Sequence, residues 1–358
     1  MATPSHLTCL CGSIREPGTL LTSQSLPIEN NICHCDTCRR TTGSLGAWYL
    51  DLEGSPSEKS LNNATAFKTS EKYTRFFCKE CGCNAFVRSE RDGRWAACAG
   101  IVEMEHTEGI TGQRSAEKNV SKVLFHEYVG DAKDGGIAPF LTKLGDRDVP
   151  CYNTEPGEKG AEVLKESELQ HLRETSLHQP AVARRDRGEA LEVSCHCGAC
   201  QLRIAPPSYG VSSEGWYVPK SDRNKYYARI CCCRSCRLTL GFTLQPWAYI
   251  PPSQIHTVNG EPMVFGPKAK ETVQVEKLRH YQSSEFVLRS FCTVCGATMY
   301  YQSFERPYII DVSVGVLRST FCNVMAGEWL EWGRELVSKR NEAVDEELVE
   351  AWLSNSTA

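Results

Sequence analysis

Three thiols fall within six residues at Cys33-His34-Cys35-Asp36-Thr37-Cys38, and Arg39 and Arg40 follow directly. The same C-x-C-x-x-C pattern returns at Cys231-Cys232-Cys233-Arg234-Ser235-Cys236, followed by Arg237. Thiols at this density are candidate zinc ligands, and a closed structural zinc site takes four of them. Three leave one position open to water, hydroxide or an exogenous thiol. A free thiol of pKa about 8.5 is mostly protonated near neutral pH, whereas a coordinated one is deprotonated. Such a site can therefore present a thiolate to a carbonyl carbon. Coordination also lowers the intrinsic nucleophilicity of the thiolate, so positioning has to contribute to the rate. The alternatives are a fourth ligand from elsewhere in the chain or a vestigial structural site.

Cysteine pairs flank each triplet. Cys9 and Cys11, followed by Gly12, can grip one ion together with Cys78 and Cys81, and Cys195 and Cys197 have the same relation to Cys292 and Cys295. Each set of four makes a closed site of zinc-ribbon type. Any single pair could be ordinary buried cysteine, but the order pair, triplet, pair occurs twice. The expected cofactor is zinc, two ions per domain and four per chain. The sets of four would hold structural zinc, and Cys33, Cys35, Cys38 and Cys231, Cys233, Cys236 would hold catalytic zinc. Arg39 and Arg237 are candidates to orient an acidic substrate or to offset thiolate charge, the alternative being a solvated surface. His34 is not expected to be a ligand, because Cys232 stands at its place in the second copy. Cys83, Cys98, Cys151, Cys200 and Cys322 lack the repeated spacing and are read as ordinary cysteines.

The elements that must position these ligands also occur twice. Ser70, Glu71, Arg75, Phe77, Cys78, Cys81 and Gly82 match Ser284, Glu285, Arg289, Phe291, Cys292, Cys295 and Gly296 at a constant offset of 214. The offset is smaller at the earlier cysteines, so the second copy carries insertions, which belong in surface loops. Short apolar and aromatic runs separated by Ser, Asn, Gly and Pro predict strands at 46–52, 74–77, 84–88, 95–99 and 123–129, then at 247–250 and 308–314. The expected organisation is a first zinc domain over 1–146, a polar linker over 147–192 with a helix at 161–175, a second zinc domain over 193–325, and a helical segment over 326–358. In that last segment Trp329, Leu330, Trp332, Leu336, Val344, Leu348 and Trp352 recur near the helical period. Arg184, Arg185 and Arg187 read as a solvated face of the linker.

Composition narrows the function classes. With 358 residues, 41% hydrophobic, 23% charged and a formal charge of −4, the chain is too long for one small domain. Its charge does not favour a nucleic-acid partner. Twenty cysteines in a chain beginning Met1-Ala2-Thr3-Pro4, without the basic start and apolar run of a signal peptide, point to metal binding rather than secreted disulfides. No apolar run approaches the roughly 20 residues that span a bilayer. An intracellular, cytoplasmic location without membrane attachment is expected.

The motifs CLCG, CHCDTCRRTTG and RFFCKECG, with CHCG, CCCRSCRLTLG and RSFCTVCG, resemble the glutathione-dependent formaldehyde-activating enzyme family, whose domain also includes CENP-V. The resemblance covers residues 8 to about 130 and 194 to about 320. It implies a mainly β chain made of two tandem β-tent zinc domains, each with a structural zinc on the outer pairs and a catalytic zinc on the triplet. It also implies carbon–sulfur lyase chemistry, joining a small thiol such as glutathione reversibly to an aldehyde as S-hydroxymethylglutathione. The other reading is a non-catalytic tandem zinc-binding interaction module of CENP-V type, for which the long basic region of a chromatin protein would be expected and is missing here.

Overall fold

The computed structural model describes residues 4–23, 25–104, 119–177, 179, 189–210, 215–319 and 323–354. Cys322 and the basic cluster at Arg184, Arg185 and Arg187 lie outside them. The described residues are mainly β. Five α-helices accompany the strands: α1 (Asp36–Thr42), α2 (Glu58–Asn62), α3 (Glu166–Leu177), α4 (Arg234–Leu240) and α5 (Glu346–Ser354).

The duplication read from the sequence is repeated in the strand order. In the second repeat one sheet runs Leu278–Ser284, Val287–Cys292, Thr298–Ser303, Ile310–Ser313, Gln245–Ile250, Tyr226–Cys231, Leu330–Trp332. The first repeat has Ala64–Lys68, Tyr73–Cys78, Asn84–Ser89, Trp95–Cys98 and Tyr49–Asp51 in the same order. A bridge between Cys33 and Ala47 carries that order on to Ile28–Cys33 and, parallel to it, Ser121–Glu127. Each predicted strand thus has a counterpart, shifted by a few residues at its ends.

Both triplets sit where a strand turns into a short helix. Cys35 and Cys233 are extended residues at the N-caps of α1 and α4, and their sulfurs accept the backbone N–H of Cys38 and Cys236 at 3.3 and 3.4 Å. This is the capping role that a serine or aspartate fills elsewhere. Gly43 and Gly241 end the two helices at φ 88° and 79°, a left-handed cap that glycine adopts without a Cβ penalty.

The repeats pack against each other with reciprocal contacts. The Gly100 N–H donates to Gly241 O, and the equivalent Gly315 N–H donates to Gly43 O, each at 3.0 Å. A Cβ on Gly82 would lie 2.3 Å from the Phe291 ring, and one on Gly296 would lie 2.5 Å from the Phe77 ring. Phe77 and Phe291 themselves meet edge to face at 6.4 Å. These exchanges are what an isologous interface produces, here within one chain. One hydrophobic core runs through both repeats, from Leu7 and Trp48 to Phe242 and Trp352.

The segment 326–358 differs from expectation. Among its described residues the α-helix covers Glu346–Ser354 alone, burying Leu348, Val349, Ala351 and Trp352. Leu330–Trp332 is a strand, parallel to Tyr226–Ala228. Leu330 and Trp332 are buried with Glu331 between them, a period of two that the spacing of large residues disguised as a helical one. Glu331 turns outward and accepts the backbone N–H groups of Lys220, Ser221 and Asp222. Ala326, at φ 47°, also interrupts any helix through this stretch. Of the helix expected at 161–175, residues 161–165 are not helical and the rest falls within α3, and Cys151, in the polar stretch read as linker, is fully buried with Val129, Ala138 and Leu169.

Candidate metal centres

Among the described residues the fold presents four groups of cysteines, two of them assembled from elements distant in sequence. Cys9, Cys11, Cys78 and Cys81 form one and Cys195, Cys197, Cys292 and Cys295 another, while the two triplets remain groups of three. Within each group the sulfurs all lie within 4.8 Å of one another, and each of the four groups could hold a metal ion.

The spacing fits such an ion. Cys9 to Cys11 is 3.5 Å and Cys11 to Cys78 is 3.6 Å, and the second repeat gives 3.5 Å from Cys195 to Cys197 and 3.6 Å from Cys197 to Cys292. Tetrahedral zinc with Zn–S bonds of about 2.3 Å needs sulfurs roughly 3.8 Å apart. A disulfide would need about 2.05 Å. Backbone N–H groups also converge on the sulfurs as they would on thiolates, Ile14 on Cys9 at 3.3 Å and Cys81 on Cys78 at 3.5 Å.

At the triplets the charge balance gives a second test. Arg75 and Arg289 are buried, and their guanidinium groups reach Cys38 at 3.1 Å and Cys236 at 3.6 Å. Among the described residues no carboxylate forms an ion pair with either arginine, and a buried cation needs a counter-charge. Thiolates supply it. Cys38 is held well below the ordinary thiol range by Cys33 and Cys35 and then by Arg75, and Cys236 by Cys231 and Cys233 and then by Arg289.

Arg39 and Arg237 are placed otherwise than the sequence suggested. Arg39 is buried, donating through Nε to His34 O at 2.7 Å and through its terminal nitrogen to Asp36 and to Asp131 O. Arg237 reaches into the other repeat, donating to Gly100 O and Val102 O, both at 2.7 Å, and to Glu103 at 3.1 Å. Their position just after the last cysteine sends both away from the sulfurs, because α1 and α4 turn them about 100° around the helix axis. The residues that sequence reasoning missed are Arg75 and Arg289. Their signal was available: each stands three residues before the second pair in both copies, on a strand face shared with neither pair.

His34 is not among the clustered ligands. Its Nε2 meets Nδ1 of His126 at 2.9 Å, and the outer nitrogens face Leu45 O and Leu141 O. Burial pushes His126 down to about 4.

The first triplet opens onto a cavity of about 490 Å³. Its walls carry Lys72, Arg75 and Arg94 on one side of the charge balance and Asp51, Glu127, Asp131 and Glu155 on the other, with Tyr49, Tyr128 and Trp95 between them. Burial pushes Glu127 up to about 7, and the Cys38 charge adds to the effect. The second triplet has different surroundings. By strand register Trp247 stands where the first repeat has Tyr49, Tyr249 where it has Asp51, and Asp311 where it has Ala96. Cys231 and Cys236 pack with Tyr227, Trp247, Tyr249 and Ile309, and Tyr217 from the insertion packs against this group. Asp311 is pushed up to about 6 by burial, against the pull of Arg306 at 2.6 Å.

Comparison with known proteins gives one family. The model described as glutathione-dependent formaldehyde-activating enzyme matches residues 4–112 and 219–328. The second match begins after Cys195 and Cys197, yet the structure returns those two cysteines to Cys292 and Cys295. A crystal structure of a Rhodobacter sphaeroides protein is 22% identical over 39% of this chain and 98% of its own, with a TM-score of 0.24. No curated protein matches. Among the described residues no helix is long and apolar enough to cross a membrane.

Proposed function

Because the chain belongs to the glutathione-dependent formaldehyde-activating enzyme family, we propose that it is a zinc-dependent carbon–sulfur lyase. In the synthetic direction it would join a small thiol, glutathione, to formaldehyde as S-hydroxymethylglutathione. Each half would be a β-tent domain, with Cys9, Cys11, Cys78, Cys81 and Cys195, Cys197, Cys292, Cys295 for structural zinc and the triplets for catalytic zinc. The observation that carries this reading is a three-sulfur group at the wall of a cavity lined by charged residues, in a chain that also has two groups of four.

Zinc bound at Cys33, Cys35 and Cys38 supplies an electrophilic position that stabilises a thiolate. The chain's own residues do the rest. Arg75 holds the Cys38 sulfur and stacks over Tyr49 at 5.1 Å, fixing the inner wall. Lys72 and Arg94 offer cations to the two carboxylates of glutathione, and Asp131 and Glu155 offer anions to its ammonium group. Charge-assisted contacts of this kind contribute about 1.5–3 kcal/mol each. Glu127 lies on the cavity wall beside the triplet, where a carboxylate oxygen can take the thiol proton. In the forward direction sulfur attacks the carbonyl carbon, the π pair moves to oxygen, and that oxygen receives the proton. No electron leaves the system.

The test uses protein with cobalt in place of zinc. Glutathione should change the ligand-field spectrum, and Cys38→Ser should remove the first repeat's share of the change. The zinc protein should exchange formaldehyde into the adduct faster than buffer, as followed by NMR. Spectra that ignore glutathione together with exchange at the background rate would leave the non-catalytic zinc module standing.

A further inference from the structure

The two triplets share a backbone but not a set of charges. Strand pairing aligns their surroundings residue by residue. Arg75 stands opposite Val87 and Val87 opposite Ala96, while Arg289 stands opposite Tyr301 and Tyr301 opposite Asp311. Glu127 pairs with Cys33 in parallel, and Ser338 pairs with Cys231 in the same way. The carbonyls of Glu127 and Ser338 accept the N–H groups of His34 and Cys232, both at 2.9 Å. The residues that follow, Tyr128 and Lys339, are both left-handed, at φ 54° and 58°.

That alignment takes the glutathione-reading cations away from the second repeat. Lys72 has Phe286 at its place, directly after the matching Glu71 and Glu285. Arg94, two residues before Ala96, has Ile309, two before Asp311, and Ile309 is buried in one cluster with Cys231 and Cys236. The Glu127 carboxylate gives way to the Ser338 hydroxyl. Cations remain near the second triplet, but they are engaged. Arg306 pairs with Asp311 at 2.6 Å, their side chains only 20% and 8% exposed, and lies 5.5, 5.8 and 5.9 Å from the ring centres of Trp216, Tyr249 and Tyr301. Arg229 donates to the Tyr227 hydroxyl at 2.7 Å and lies over that ring. In the first repeat Arg94 also has a carboxylate, Asp92 at 2.7 Å, but its side chain is 78% exposed, where an ion pair is worth little and yields to a ligand. Cys35 and Cys233 are both half-buried, so access to the sulfurs does not separate the two sites.

We propose, resting on the lyase reading, that glutathione binds at the first triplet alone and that the second triplet takes a thiol whose body is aromatic and uncharged. Lys72 and Arg94 admit the charged ends of glutathione, and Phe286 and Ile309 exclude them. At the second triplet those ends would leave water without new partners, which opposes binding. An aromatic ring meets Trp247 and Tyr249 there, packed with Cys231 and Cys236, and ring pairs of this kind are favourable. Specificity is thus a difference between two sites of one chain, set by attraction at one and exclusion at the other.

The experiment uses full-length protein. Equilibrium dialysis of the zinc-loaded wild type should give one equivalent of glutathione per chain. In the cobalt form, Cys35→Ser isolates the second triplet and Cys233→Ser the first. Glutathione should leave the ligand-field spectrum of Cys35→Ser unchanged at concentrations that saturate the wild type, whereas thiophenol should change it. Glutathione should act on Cys233→Ser as on the wild type, and adding Lys72→Phe with Arg94→Ile should weaken it by roughly a hundredfold or more, the equivalent of two charge-assisted contacts. Two equivalents per chain, or a response of Cys35→Ser to glutathione, would overturn the assignment and leave the lyase reading intact. A cobalt-loaded Cys35→Ser that ignores thiophenol overturns it as well. If Cys35→Ser does not fold, the wild-type stoichiometry decides, one equivalent for the assignment and two against it. A wild type that binds no glutathione ends the lyase reading and this assignment together.

Discussion

Replacing Arg237 by methionine separates two roles that its position next to Cys236 would otherwise confuse. The guanidinium lies 3% exposed, with two carbonyl oxygens of the first repeat at 2.7 Å and Glu103 at 3.1 Å. Methionine keeps most of the buried stem but leaves Gly100 O and Val102 O without this donor. Glu103 retains Arg234 at 2.9 Å, which limits the damage from its own charge. Breaking a buried ion pair from one side costs about 3–5 kcal/mol, most of it the penalty for groups left unpaired. At roughly 2 °C per kcal/mol for a large domain, the melting temperature should fall by about 6–10 °C. Calorimetry on zinc-loaded protein measures this, and glutathione titration of the cobalt form measures affinity, which should stay within about twofold. A substrate-binding role gives the opposite result, a melting point within about 1 °C of wild type and thiol affinity roughly tenfold weaker, equivalent to about 1.4 kcal/mol. That outcome would refute the interface assignment.

Alanine at Gly82 or at Gly296 should destabilise by similar amounts, about 1–3 kcal/mol each, because each Cβ meets the opposite phenylalanine ring and each residue has a positive φ; thermal melts that differ widely between the two would contradict the reciprocal packing. Asp345, whose carboxylate accepts the Ser121 N–H at 3.0 Å, is pushed up to about 8 by burial. Its folded pKa exceeds the unfolded value near 3.9, so the folded state binds the extra proton and stability should decline between about pH 4 and pH 8, with a slope of up to about 1.4 kcal/mol per pH unit. Asp345→Asn should flatten that decline in urea titrations, and an unchanged slope would assign the pH dependence to other groups. Serine at Cys78 should remove most folded protein, since structural zinc contributes on the order of 10–16 kcal/mol in small zinc domains, whereas serine at Cys35 should leave near-native circular dichroism; unfolding of both variants would make the first triplet structural.

The cysteine groups were legible because metal ligation demands a residue type at a spacing, and both survive in the linear sequence. Strands such as Trp95–Cys98 and Gln245–Ile250 were legible from short apolar runs. The strand at Leu330–Trp332 was not, because Trp329, Leu330, Trp332 and Leu336 satisfy a helical period and a strand period about equally well over so short a stretch. What decided it was a partner, Tyr226–Ala228, that sequence-local reasoning cannot see. The same limit hid the true surroundings of Arg237, since its acceptors lie more than 130 residues away.

The reciprocal glycine contacts have a consequence for how the two sites can diverge. In a homodimer built on the same interface every substitution lands twice, so both sites must change together. Here each lands once. The covalent connection also makes association of the halves intramolecular, at an effective concentration set by the chain rather than by expression level. The interface can then tolerate unequal partners that would dissociate as separate subunits. The inequality is visible: Asp51 beside one triplet and Tyr249 beside the other occupy matching places on matching strands. One chain can thus keep one triplet beside a cavity with charged walls and the other packed among aromatic rings, each free to change without its counterpart.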